Sequence, residues 1–69
     1  MIHNDQELGE TQRRITEFQR ILAQLRTTAR PAEFALMASG YRREIERMQA
    51  EVLDYLTLPV ISPEAALVA

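Results

Sequence analysis

The chain has no cysteine, no lysine and no tryptophan. Without cysteine there is no disulfide framework and no thiolate metal site. The one histidine, His3, cannot build a zinc site alone. Glycine is confined to Gly9 and Gly40, which stand apart, so a glycine-rich phosphate loop is excluded. Ser39 and Ser62 are the only serines and nothing ties either to His3, which removes a nucleophile–base pair. The longest apolar run is short, so no membrane span is expected. The opening Met1-Ile2-His3-Asn4-Asp5 has neither the basic nor the apolar region of a secretory signal. These absences set the expectation of a cytoplasmic protein that is not an enzyme and carries no cofactor and no metal.

What remains is a chain of 69 residues, enough for one domain. Domains this short leave much of their surface exposed and usually add a disulfide, a metal or an assembly partner to a thin core. With the first two excluded, self-association or a partner is the expected source of further stability. Eight arginines stand against ten acidic residues, a formal charge of −2 that does not favour polyanions.

The apolar residues fall into two matching patterns separated by Pro31. Leu8, Thr11, Ile15, Phe18, Leu22, Leu25 and Ala29 are spaced alternately three and four residues apart. This is an a/d heptad seam, which puts them on one stripe of a helix; Ile21 widens it on one flank. Phe34, Ala38, Tyr41, Ile45, Met48, Val52 and Tyr55 repeat the pattern, with Met37, Leu53 and Leu56 outside the strict seam. Apolar and polar residues do not alternate with period two, so a strand is excluded.

The ends of the helices are marked. Asn4 with Glu7 three residues on reads as a capping pair, with Asp5 and Glu7 favourable at the positive end of the helix dipole. Gly9 weakens this start and makes Thr11 the alternative cap; the seam's inclusion of Leu8 favours Asn4. Pro31 suits the first turn of a second helix, and Pro59 ends that helix near Thr57. The short link favours antiparallel neighbours.

The expected fold is therefore all-α: an antiparallel, coiled-coil-like two-helix hairpin over residues 1–58, with helices at about 5–28 and 32–57. An apolar C-terminal tail occupies residues 59–69, where Ser62-Pro63-Glu64 is a further candidate cap. Glu10–Arg14, Arg13–Glu17, Arg42–Glu46 and Arg47–Glu51 have the spacing of helix-surface ion pairs. Gly40, after Ala38 and Ser39, marks a close helix approach, a bend, a tolerated weak spot or a later helix start.

Two helices cannot cover each other's stripes completely. Leu8, Ile15, Phe18, Leu22, Leu25, Phe34, Tyr41, Ile45, Met48, Val52 and Tyr55 are the expected helix–helix interface. Ile21, Met37, Leu53 and Leu56, with Val60 and Ile61 of the tail, are left for a dimer or partner contact. Pairing two hairpins into a four-helix bundle homodimer would cover them.

Other chemistry fits poorly. His3, Asp5 and Glu7 alternate and so do not converge on one helix face as metal ligands must. Glu44 and Glu46 are flanked by arginines and read as solvated. Arg13 and Arg20 lie opposite the seam, Arg14, Arg26 and Arg30 point elsewhere, and Arg42, Arg43 and Arg47 alternate with acids; a phosphate-tracking face needs clustered, unpaired cations. A helix-turn-helix needs a further short helix after a tight turn, for which the two long helices leave no room. Direct nucleic-acid binding and membrane binding are therefore not expected.

Two segments carry a family resemblance. Met1-Ile2-x-Asn4-Asp5-x-Glu7-Leu8, followed by Thr11 and Phe18, resembles the start of HigA-type antitoxin regulators. Ile45-Glu46-Arg47-Met48-Gln49-Ala50-Glu51-Val52-Leu53-Asp54-Tyr55 is similar to the end of their N-terminal helical hairpin, apolar-Glu-x-apolar-x-x-Glu-apolar-x-x-Tyr. In that family the hairpin precedes a helix-turn-helix domain that binds operator DNA. For these residues the resemblance implies the hairpin's share: association, orientation or partner contact. Three functions fit in decreasing order: a dimerisation or protein-interaction module, antitoxin-like or regulatory; a helical adaptor subunit of a larger protein partner; and a small nucleic-acid-binding regulator.

Overall fold

The computed structural model describes residues 1–59. Two helices, α1 (Asp5–Thr28) and α2 (Pro31–Thr57), pack against each other as a hairpin. Val60 and Ile61, and the expected cap at Ser62-Pro63-Glu64, lie outside the described residues.

Local chemistry accounts for each boundary. Asn4 is extended and its Oδ1 accepts from the Glu7 N–H at 2.8 Å, satisfying one of the free donors of the first turn. Glu7 reaches back in turn, but to the N–H of His3, again at 2.8 Å, rather than to that of Asn4. The cap is thus Asn4 and not Thr11, which sits within α1. At the other end the Ala29 N–H donates to the Leu25 carbonyl and the hydroxyls of Thr27 and Thr28 both donate to Gln24 O.

Ala29 and Arg30 are the whole link, both with extended backbone. Pro31 holds Arg30 out of the helical region and then starts α2, where its missing N–H costs nothing. So tight a link leaves the second helix no course but back along the first. α2 ends where Leu58 donates to Asp54 O and Tyr55 O, just before Pro59.

The core is thin. Ile15, Ile45 and Met48 form its centre, with Phe18, Leu22 and Val52 packed around them. Met48 is 2 % exposed and is the most deeply buried large side chain. Phe18 and Tyr41 meet edge to face across the helices, their ring centres 5.3 Å apart.

The structure adds one feature, narrows one reading and corrects one. The N-terminal segment does not run free before α1: Ile2 is as buried as Ile45. It lines a hollow with Thr11, Met48 and Glu51, so the segment straps over the seam. Gly40 neither delays the start of α2 nor brings a helix close, because a Cβ there would meet nothing within 4 Å. Of the four ion pairs, Arg42–Glu46 and Arg47–Glu51 form. Glu10–Arg14 and Arg13–Glu17 are absent among the described residues. Glu17 turns to Arg20 one turn on, and the charge of Arg14 acts across the seam on Glu44 of α2.

Candidate protein-interaction surface

The seam gives the hairpin two sides, and they differ. On one, Arg47 bridges two acids, with Nη2 2.8 Å from Glu44 Oε2 and Nη1 3.0 Å from Glu51 Oε1. The hydrogen bond from Arg47 and its charge, joined by that of Arg14, hold the Glu44 carboxyl below its usual range. The Met1 amine lies 3.7 Å from Glu51. Glu7, Glu10, Thr11 and Arg14 of α1 face the same hollow, of about 310 Å³, which Ile2 also lines. This side is charged and closed by its own residues.

The other side is an open groove of about 880 Å³ between the helices. Its floor is Leu22, Ala23, Phe34, Ala35, Ala38 and Ile45, and its rim is Gln19, Arg26, Ser39, Arg42, Arg43, Glu46 and Gln49. Glu46 is the one acid there and is held by Arg42 Nε at 2.7 Å. Small side chains at 23, 35 and 38 are what make the floor deep. Leu53 and Leu56 follow Gln49 by four and seven residues, so the helical repeat stacks them on this same side beyond the groove. They are 61 % and 56 % exposed.

Of the expected interface residues, Ile15, Ile45 and Met48 are buried and Phe18, Leu22 and Val52 pack on them. Leu8, Leu25, Phe34, Tyr41 and Tyr55 are half-buried along the same seam. Tyr55 also donates its hydroxyl to Asp5 Oδ1 at 2.7 Å, fastening the end of α2 to the start of α1. That hydrogen bond, with some burial and the Asp5 charge, raises the Tyr55 phenol above its ordinary pKa.

The residues expected at a dimer or partner contact do not form one patch. Leu53 and Leu56 lie on the open side. Ile21, half-buried, stacks in the row of Phe18 and Leu25, and Met37, exposed, in the row of Tyr41 and Glu44, on the opposite flank. Of the groove alanines, Ala38 belongs to the expected seam, whereas Ala23 and Ala35 were not singled out by sequence, because a heptad seam marks which stripe turns inward and says nothing of how hollow its flanks are. Nor was Ile2, which stands two residues ahead of the cap, while the staple position immediately before the cap is held by His3. Leu36, also unmarked, is 79 % exposed on the outer surface of α2.

Among the described residues no three histidine or acidic side chains converge as a metal site would need, and no polar residue is buried. No described helix is long and apolar enough to cross a membrane. Compared with protein-family models, curated proteins and solved structures, the chain matches none.

Proposed function

We propose that this chain is a non-enzymatic, cytoplasmic interaction module whose hairpin completes its core by docking further helices on its open side. The supporting observation is the asymmetry between the two sides. One is sealed by a strap and a charge network, whereas the other exposes an apolar floor and two leucines beside a core with few buried side chains. Exposed apolar surface of this kind, rimmed by polar groups, marks a protein contact. The groove holds no unpaired acid and no histidine to serve as base or nucleophile, which supports the non-enzymatic reading. The HigA-type resemblance suggests an antitoxin-like or regulatory setting. Most of the residues that carry it serve the hairpin itself: Asn4 and Glu7 cap α1, Tyr55 binds Asp5, and Ile45, Met48 and Val52 fill the seam.

Because the chain lacks cysteine, single thiols report cleanly on each side. Ala23→Cys and Gln49→Cys probe the open side, and Glu10→Cys and Arg13→Cys the rest. In host cells a maleimide should label the first pair several-fold more slowly than the second. Equal rates would overturn the reading.

A further inference from the structure

We propose that the occupant of the open side is a second copy of this chain, docked with its α2 antiparallel to the first about a two-fold axis between Ile45 and Glu46. The inference rests on the interaction-module reading and names its partner.

It comes from the spacing along the open face of α2. Ala35, Ala38, Arg42, Gln49, Leu53 and Leu56 are separated by three, four, seven, four and three residues. That order reads the same in both directions. An antiparallel copy centred at 45/46 therefore sets Leu56 of the second copy opposite Ala35, Leu53 opposite Ala38 and Gln49 opposite Arg42. Each pairing then occurs twice, as an isologous contact requires. The sizes match as well as the positions. The two leucines protrude, and the two alanines lie in the floor of the groove with Ala23, Leu22 and Phe34. One half of the face is a set of knobs and the other half the holes that take them.

Charge agrees with size. On the strip itself Arg42 and Glu46 are already paired at 2.7 Å, with Arg26 and Arg43 at the margin of the groove. In the proposed register Glu46 of the second copy lies one turn from Arg42, so the two pairs alternate in sign around the axis. The extent is also adequate. From Ala35 to Leu56 the strip runs about 32 Å, and two helix widths give roughly 640 Å² per copy or ~1,300 Å² in all, within the range of stable protein interfaces.

The full chain tests this directly. At micromolar concentration sedimentation equilibrium should return twice the monomer mass, and Leu53→Lys with Leu56→Lys should return the monomer mass with its helix signal kept. Ala38→Cys with Leu53→Cys should form a disulfide-linked dimer on oxidation, whereas either substitution alone should give little. Within one chain those positions lie about 22 Å apart along α2, too far to bridge. Should the lysine variant lose its helix signal instead, the cross-link decides. A monomer mass with full helicity overturns the proposal, as does a dimer that cross-links through Ile21→Cys and Met37→Cys but not through 38 and 53. If the purified chain is a monomer while open-side thiols stay protected in host cells, the second copy is ruled out and the module reading stands, with a different protein as occupant.

Discussion

The two sides of the hairpin share one seam and diverge within a single helical turn of it. On the closed side, Glu44 and Glu51 are both bound to Arg47, and Ile2 packs over the distal end of the seam. On the open side, the corresponding positions of α2 are Ala35, Ala38, Leu53 and Leu56, with the Arg42–Glu46 pair as the only salt link among the described residues. The net hydrophobicity of the chain does not distinguish these sides. Distribution does: the N-terminal strap packs over one flank, and the other keeps an apolar groove and two exposed leucines.

The contrast can be broken at its root. Ile45→Asp places a charge in the seam that both sides share and should abolish the helical circular dichroism signal at micromolar concentration; retained helicity would show that the seam does not hold the fold. A smaller change opens the closed side alone. Ile2→Ala removes the strap's buried side chain and should cost roughly 2 kcal/mol in a urea titration. Leu53→Ala, on an exposed residue, should change the stability of a single hairpin by less than about 0.5 kcal/mol. Equal effects at the two positions would erase the distinction.

Gly40 sharpens the comparison in the other direction. It precedes Glu44 and Arg47 by four and seven residues, away from the open face, and an added methyl meets nothing within 4 Å. Gly40→Ala should therefore stabilise α2 by about 0.5–1 kcal/mol and leave association unchanged. Thermal melts and sedimentation together check it, and a weakened association would place Gly40 at the contact. The smallest effect is at the clasp. Its hydrogen bond requires Tyr55 to stay protonated, so the phenol holds its proton more tightly folded than unfolded. The stability it adds is present below the ordinary tyrosine pKa, about 10, and is lost as pH rises through the raised folded value. Ultraviolet titration should find the Tyr55 phenolate forming late, and Asp5→Asn should bring it earlier.

Much of this was readable from residue spacing. Asn4, Pro31 and Pro59 bound the helices because capping and proline sterics act locally, and the three–four alternation picks out Ile15, Ile45 and Met48 because a helix has one period. Spacing fails where the answer depends on how the two helices are rotated against each other. Ile21 and Met37 then look equivalent to Leu53 and Leu56, although they fall on opposite flanks. It fails also for Ile2, which precedes the helix and belongs to no period, and for Arg14, whose charge acts on Glu44 of the other helix while it forms no ion pair with Glu10.

The link of Ala29 and Arg30 has a consequence for how the molecule forms. Residues beside it, such as Leu25 and Phe34, are close in sequence, so contacts formed there close small loops. Tyr55 and Asp5 are 50 residues apart. Loop closure grows costlier with separation, so helices that zip together from the link gain each new contact for little added entropy. The clasp and the strap are the last parts of that zipper to close and the first to open. Leu53 and Leu56 occupy the same distal stretch of α2, so an arriving helix that covers them would also hold shut the end of the hairpin that frays most readily.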